Sequence, residues 1–328
     1  MRSIAANALT ALIVLGLVVA GAIAWAVNQV DGPGPAAEDR TFTVARGASL
    51  ARVADALEAE GVIASATLFR LNARYRDQEG GLRYGEYAIP ARASMNDVLA
   101  ILTSGRVIQY PVTIAEGLTS WEVVELLRRV EVLSGDIEDI PAEGTLAPDT
   151  YLVQRGDTRA EVLARMRALQ ERRVAEAWEA RHPDNQLRSP EELVIMASII
   201  EKETGVADER TRVSAVFHNR LRVGMRLQSD PTIIYGITQG QGAFGRALTR
   251  SDIDTRTDWN TYTIDGLPRT AIANPGRAAR LAAAQPDQTD EFYFVADGTG
   301  GHAFARTLQE HNRNVAAWRA IERQRAQP

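Results

Sequence analysis

Residues 189–205 read SPEELVIMASIIEKETG, and this stretch decides how the second half of the chain folds. Ser189 is a favourable N-cap, and the proline and glutamate that follow it complete a strong helix start. The run 193–200 is apolar nearly all round, which predicts a helix buried in a core rather than one lying on a surface. Because Gly205 is a natural stop, the helix should carry Glu203 at its C-terminal end.

Helical spacing separates Glu203 from the other carboxylate at this end. Glu203 shares a face with Met196 and Ile199, whereas Glu201 points nearly the opposite way. Apolar neighbours and the negative C-terminal end of a helix both disfavour an ionised carboxylate, so Glu203 is predicted to be protonated near neutral pH. A glycosidase needs such an acid to protonate its leaving oxygen. The alternative is a structural ion pair with a neighbouring base: Lys202, Arg210 or Arg220.

Composition narrows the chemistry around this helix. The 328 residues carry a formal net charge of -5, with acidic and basic residues interspersed, which argues against nucleic acid as a partner. The chain has no cysteine, and its four histidines fall in no metal-binding pattern. We therefore expect no metal and no cofactor, and catalysis by carboxylates, hydroxyls, lysine or amides.

An uncharged stretch of twenty residues, ALTALIVLGLVVAGAIAWAV (8–27), is long enough to cross a hydrocarbon core of about 30 Å. Small-residue triplets near its end also resemble a signal-peptide cleavage site, but the apolar run is longer than a typical signal sequence has. Arg2 precedes the stretch, while Asp31, Glu38 and Asp39 follow it. This asymmetry predicts a transmembrane helix with its N-terminus in the cytoplasm.

The pattern as a whole predicts an α+β protein in four segments. Residues 1–28 are a cytoplasmic start and transmembrane helix, and residues 29–40, rich in Gly, Pro and Ala, are a linker. Residues 41–106 alternate strand, helices, strand and helix, which indicates a small α+β subdomain. Residues 107–328 form a larger α+β domain built around the buried helix, with short strands and long loops.

A possible nucleotide motif lies in the loop-rich part of this domain. Gly240, Gly242 and Gly245 form a GxGxxG match after an apparent strand at 232–237. The sequence that follows lacks the apolar crossover helix of a dinucleotide-binding unit, so the context of the motif fails. We interpret these glycines as part of a flexible loop.

Several stretches closely resemble the YceG-like (MltG) family of endolytic murein transglycosylases, over residues 41 to about 316. The stretch FTVARGASLARVADALEAEGVI (42–63) of the small subdomain is similar to the LysM-like region of that family. LAPDTY (146–151) resembles another family element, although Ala147 replaces its usual aromatic residue. The remaining matches are IMASIIEKET (195–204), VFHNRLRVGMRLQSDPTIIYG (216–236), NTYTIDGLPRTAIANPG (260–276) and FYFVADGTGGHAFARTLQEHN (292–312).

The resemblance implies a LysM-like subdomain at 41–106, a catalytic domain at 107–328 and a lytic reaction. The catalytic glutamate of the family falls on Glu203. It would protonate the oxygen between N-acetylmuramic acid and N-acetylglucosamine, then accept a proton from the muramyl 6-hydroxyl, leaving a 1,6-anhydro end. Polar residues of the matched loops would bind the sugars: Gln228, Ser229, Asp230, Asn260, Thr261, Tyr262 and Asn274.

The resemblance also implies location and partners. The N-terminal helix would hold the protein in the cell inner membrane as a single span, with the catalytic part in the periplasm. Peptidoglycan glycan strands would be the substrate, cut while nascent so that their elongation is limited, and membrane-bound peptidoglycan synthases would be partners. Two alternatives stay open: a hydrolytic muramidase in which Asp230 serves as nucleophile or holds a water, and a membrane-tethered scaffold that binds glycan without cutting it.

Overall fold

The computed structural model describes residues 2–325. Met1 and residues 326–328, at the outer ends of the predicted first and last segments, lie outside the described residues. So does the side chain of Arg2, on which the predicted orientation in the membrane depends. The chain divides into two compact units. Unit 1 runs to Tyr110 and includes 132–134 and 152–157, and unit 2 contains the rest of the chain.

Unit 1 begins with the helix α1 (Arg2–Asp31). Its stretch Leu9–Asp31 has a mean hydropathy of 2.4, lies on the outside of the molecule and is long and apolar enough to cross a membrane. The small globular part follows, as strand β1 (Arg40–Val44), helices α2 (Leu50–Ala59) and α3 (Ala66–Tyr75), strand β2 (Gly85–Ile89) and helix α4 (Met95–Ser104). The single apolar helix predicted at the N-terminus is thus present.

The order of elements in unit 1 is the predicted one. Strands β1 and β2 pair antiparallel, and the three helices bury their apolar faces in one core with Phe42 and Tyr87. Ser49, Ser65 and Ser94 cap the three helices, and Ser94 forms a capping box with Asp97. These features give a mixed α and β unit; a specific kinship to LysM remains a prediction.

Residues 34–39, within the predicted linker, are hydrogen-bonded to residues 91–92 of the same unit. The amide of Gly34 donates to the carbonyl of Arg92 at 3.1 Å, and the amide of Arg92 donates to the carbonyl of Ala36 at 2.7 Å. A Cβ at Gly34 would lie 2.2 Å from the carbonyl oxygen of Ala93. Glycine here therefore permits a close approach of two backbone segments, whereas composition alone suggested a flexible tether.

From Tyr110 onward the chain is mainly helical. Its elements are β3 (Tyr110–Thr113), α5 (Ser120–Arg128), β4 (Thr150–Val153), α6 (Arg159–Glu179), α7 (Pro190–Glu203), a 3-10 turn (Ala207–Glu209), α8 (Arg210–Arg222), α9 (Asp230–Thr238), α10 (Arg250–Asp254), α11 (Arg277–Ala284), β5 (Tyr293–Ala296), β6 (His302–Ala305) and α12 (Leu308–Arg325). Strands β5 and β6 pair antiparallel.

Helix α7 is the predicted buried helix and lies in the core of unit 2. Ser189 caps it, and five of its apolar residues are buried among α6, α8, α9 and α11: Leu193, Met196, Ala197, Ile199 and Ile200. The facing side of α11 is made of alanines, which permit close packing of the two helices. The core thereby fixes the C-terminal end of α7, where Glu203 lies.

The strand predicted at 232–237 is wrong, because α9 covers these residues. Their β-branched side chains favour a strand, but Pro231 in the first turn favours a helix start, and Thr232 and Ile233 are buried on one side. Within the described residues the sheets are small, each of two strands. The three glycines of the GxGxxG match have φ of 73°, 77° and 71°, as expected for a loop.

Candidate active site

Glu203 lies partly buried at the C-terminal end of α7. The hydroxyl of Ser229 donates a hydrogen bond to its Oε1. Ser229 is only 1% exposed and occupies the N-cap position of α9, yet its side chain makes no capping bond to that helix. The carboxylate of Glu203 therefore lies between the C-terminal end of one helix and the N-terminal end of another.

The surroundings of Glu203 raise the pKa of its carboxyl from 4.5 to about 7, mainly because burial disfavours the ionised form. The hydrogen bond from Ser229 opposes this effect, and the nearby negative charge of Asp230 adds to it. Positive charge at His302 or Arg220 lowers the pKa. The protonated and ionised forms of the carboxyl are accordingly both accessible near pH 7. The raised pKa agrees with the direction predicted from the position of Glu203 on the helix.

Two bases of the alternative ion pair, Lys202 and Arg220, donate their hydrogen bonds to backbone carbonyls. Lys202 donates from Nζ to the carbonyl of Gly117 at 3.3 Å. Buried Arg220 donates from Nε to the carbonyl of Phe292 at 2.7 Å and from Nη1 to the carbonyl of Leu227 at 2.5 Å. The charge of Arg210 acts on Glu201. The contact that defines the environment of Glu203 is therefore the neutral hydroxyl of Ser229.

Glu201 has a structural role on the opposite face of α7. Its Oε2 accepts a hydrogen bond from the amide of Gly276 at 2.8 Å, and Glu116 accepts one from the amide of Arg277 at 3.1 Å. Both carboxylates thus satisfy the N-terminal amides of α11, where negative charge is favourable. A Cβ at Gly276 would lie 1.9 Å from the carboxyl carbon of Glu116, so a side chain here would require the Glu116 carboxylate to move.

A buried network of hydroxyls holds Ser229 in place. The amide of Ser229 donates to Thr261 Oγ1 at 2.9 Å, and Thr232 Oγ1 lies 2.9 Å from the same atom. Thr261 also accepts at its carbonyl from the amide of Gln228, at 3.2 Å. Thr261 is fully buried, and its contacts hold Ser229 in position. Gln228 is exposed, with a left-handed φ of 51°, which is uncommon for a residue other than glycine.

Asp230 and Tyr262 form a polar pair beside Glu203. The phenol of Tyr262 donates to Asp230 Oδ1 at 2.7 Å, and Asp230 is exposed. Burial, followed by this hydrogen bond, raises the pKa of the Tyr262 phenol. The charge of Asp230 acts on Glu203 as well, so the two predicted site residues and the carboxyl share one electrostatic environment.

Asn260 and Asn274 are buried and bonded within the protein. Asn260 donates from Nδ2 to the carbonyl of Ile253 at 2.9 Å and accepts at Oδ1 from the amide of Tyr262 at 3.0 Å. Asn274 donates to the carbonyl of Leu118 at 3.1 Å and accepts from the amide of Leu146 at 2.9 Å. Their amide groups hold loops together. Of the seven predicted sugar contacts, Gln228 and Asp230 have exposed side chains.

Sequence reasoning missed a histidine and a glutamate that belong to this site. His302 on β6 places Nδ1 2.7 Å from Glu209 Oε2, and its amide donates to Glu209 Oε1 at 2.9 Å. Glu209 ends the 3-10 turn that follows α7. The rings of Phe294 and His302 pack in a T-shaped arrangement, with their centroids 5.4 Å apart. A separation of 93 residues hides this pair from any local pattern.

No group of three or more His, Asp and Glu side chains within residues 2–325 is arranged to hold a metal ion.

A family model described as YceG-like matches residues 42–317. The chain belongs to the YceG-like family. The YceG-like protein is 27% identical, over 90% of its own length and 90% of the relative, to an endolytic murein transglycosylase of Bacillus subtilis (strain 168).

Two further comparisons agree with the family. A Streptococcus pneumoniae (serotype 2, strain D39) protein of the same name is 26% identical, with the match covering 84% of this YceG-like chain and 58% of the relative. A 2.6 Å crystal structure of a YceG-like protein from Listeria monocytogenes matches with a TM-score of 0.53 and 27% identity. That match covers 84% of this chain and 98% of the Listeria chain, so the fold is shared over most of the molecule.

Proposed function

We propose that this YceG-like chain is an endolytic lytic transglycosylase of peptidoglycan and that Glu203 is its catalytic residue. The observation that carries the proposal is the carboxyl at the end of α7, whose pKa burial raises to about 7. The names of the relatives from Bacillus and Streptococcus support the reaction class. A general acid works best when its pKa lies near the operating pH.

The proposed reaction uses one carboxyl twice. Protonated Glu203 donates its proton to the glycosidic oxygen between N-acetylmuramic acid and N-acetylglucosamine, and the bond from that oxygen to the muramyl anomeric carbon breaks. The resulting carboxylate accepts the proton of the muramyl 6-hydroxyl as this oxygen attacks the same carbon. The product carries a 1,6-anhydro end, water is not consumed, and Glu203 regains its proton.

Ser229 orients the carboxyl for both steps. Its hydroxyl donates to Oε1, so we assign the transferred proton to Oε2. The N-terminal end of α9 favours the carboxylate that forms after the first step, while burial favours the acid that is needed before it. These opposed influences keep the pKa near neutrality, where one residue can act as acid and then as base.

The other predicted residues divide into two groups by their contacts. We propose Gln228, Asp230 and Tyr262 as sugar contacts, because the first two are exposed and the third is paired with Asp230. Thr261 supports Ser229, and the asparagines at 260 and 274 hold the loops that carry the site. This division assigns direct sugar binding to three of the seven residues.

The proposed setting is the cell inner membrane. Helix α1 would cross it once, with the N-terminus in the cytoplasm and the catalytic part in the periplasm. Held there, the enzyme would meet glycan strands as they emerge from membrane-bound peptidoglycan synthases, which we propose as partners. Cleavage within such nascent strands would limit their elongation.

The decisive experiment is mass spectrometry of purified glycan strands after digestion. Wild type should release 1,6-anhydromuropeptides, Glu203→Gln should release none, and Glu201→Gln should retain activity because glutamine can still accept from Gly276. Free reducing ends would show a hydrolytic muramidase, the alternative favoured by a second carboxylate, Asp230, close to Glu203. Glycan binding without any cleavage by wild type would indicate a scaffold.

A further inference from the structure

Helix α3 of unit 1 presents an apolar and aromatic surface that the core does not use. Tyr75 is 90% exposed and Leu71 is 56% exposed. The two residues are four positions apart, so they lie on one face of the helix. The opposite face, with Phe69 and Ala73, is buried in the core of unit 1. Single exposed apolar residues are common, but helix α3 also contacts α1, a candidate membrane helix.

A chain of polar contacts links α3 to the end of α1. Asn72, the neighbour of Leu71, donates from Nδ2 to Asn96 Oδ1 at 2.8 Å, and Asn96 donates to Asp31 at the end of α1. Helix α1 lies against both α3 and α4. Tyr75 lies three positions after Asn72, so it is on the side of α3 that faces Asn96 and the end of α1.

The depth of this contact follows from where α1 becomes buried. Ala26, Gln29 and Val30 are partly buried, whereas the preceding apolar residues from Leu9 to Trp25 are exposed. Ala26 still belongs to the uncharged stretch 8–27, which has the length of one membrane crossing. The globular part of unit 1 thus begins within one helical turn of the end of the span, with no spacer between them.

We propose that Leu71 and Tyr75 enter the headgroup region of the same bilayer that α1 spans, giving unit 1 a second contact with the membrane. The inference rests on the proposed membrane anchor. Tyrosine is favoured at this depth because its ring is apolar and its hydroxyl polar. Arg74 pairs with Glu79 at 2.8 Å and Arg70 pairs with Asp55 at 2.9 Å, so the surface suits the bilayer interface in general rather than anionic lipid in particular.

Two contacts constrain orientation where one does not. A single helix leaves the attached domain able to rotate about the helix axis, whereas a second insertion point on α3 stops this rotation. The hydrogen bonds that join Gly34 and Ala36 to Arg92 hold the segment after α1 against the rest of unit 1. Unit 1 should therefore present one fixed face to the membrane.

Because the chain has no cysteine, a single introduced cysteine can carry an environment-sensitive NBD fluorophore. We would label full-length Leu71→Cys and Tyr75→Cys in lipid nanodiscs, with Ala51→Cys, exposed on α2, as the matched surface control. Leu17→Cys in α1 tests the anchor itself. Each sample is measured with nitroxide attached either to the lipid headgroup or to the middle of the acyl chain.

We expect labels at Leu71 and Tyr75 to be quenched several-fold more by headgroup nitroxide than the label at Ala51, with emission shifted to shorter wavelength. The label at Leu17 should be quenched by the mid-chain nitroxide. If Leu17 responds while Leu71 and Tyr75 behave like Ala51, the second contact is refuted and the anchor stands. If Leu17 does not respond, the anchor fails as well. Unchanged circular dichroism and unchanged Tm confirm that each labelled chain is folded.

Discussion

Replacing Glu203 by glutamine should stabilise the fold at alkaline pH while it abolishes catalysis. Burial raises the pKa of the Glu203 carboxyl from 4.5 to about 7, so the folded chain binds this proton more tightly than the unfolded chain does. The protonated Glu203 carboxyl therefore contributes to the free energy of unfolding in full below its unfolded pKa. This contribution is lost as the pH rises through its folded pKa. The loss occurs between pH 4.5 and about pH 7.

The size of the effect follows from the two pKa values. Their difference, 7 − 4.5 = 2.5, corresponds to about 3 kcal/mol. Partial solvent contact of the side chain reduces the effect, and we expect about 2 kcal/mol. Glutamine has nearly the same shape, has no charge to desolvate and can still accept the hydrogen bond from Ser229. The variant should therefore match wild type in acid and exceed it in stability above pH 7.

Denaturant unfolding of the full chain in detergent, at about pH 4 and about pH 8, measures this difference. Glu179→Gln is the matched control, because Glu179 is exposed on α6 and its substitution should change the free energy of unfolding by less than about 0.5 kcal/mol. A Glu203→Gln variant that gains nothing over wild type near the higher pH would refute the burial on which the proposed acid depends.

Ser229→Ala removes a hydrogen bond that lowers the pKa of Glu203. Because such a bond to a charged group is worth about 1.5–3 kcal/mol, the alkaline decline of kcat/KM should move upward by about one pH unit. Ser251→Ala, at an exposed position, is its control, and an unmoved profile would remove Ser229 from the mechanism. His302→Gln should move the alkaline decline of kcat/KM upward by a smaller amount, because positive charge at His302 lowers the pKa of Glu203 through space. A downward movement of this decline would contradict that role. Asn274→Ala leaves the buried amide of Leu146 without its partner and should lower the free energy of unfolding by about 1–3 kcal/mol. An equally stable variant with a raised KM for glycan would instead make Asn274 a sugar contact.

The central helix and its carboxylate were predictable because their signals are local. The cap at Ser189, the proline after it and the apolar run lie within one stretch of sequence, and helix phase alone separates Glu203 from Glu201. The same holds for unit 1, where capping serines mark all three helix starts. The glycine-rich stretch at 240–245 was also readable as a loop, from the sequence context that follows it.

The partners of these residues were not predictable, because they come from distant parts of the chain. Ser229 follows Glu203 by 26 residues, and 156 residues separate Asn274 from Leu118, whose carbonyl it binds. No spacing rule connects such positions. Helix α9 was misread for a different reason: its β-branched residues favour a strand locally, and only tertiary packing decides in favour of a helix.

The position of Ser229 sets a limit for anyone who would engineer this protein for stability. Helix α9 begins without a side-chain cap, and restoring one is worth about 1 kcal/mol in many proteins. Redesign guided by capping preference would favour aspartate or asparagine here. Aspartate would set a second negative charge against Glu203 and would have no hydroxyl to give it. Under the proposed mechanism, a cap at this position would therefore stabilise α9 at the expense of catalysis.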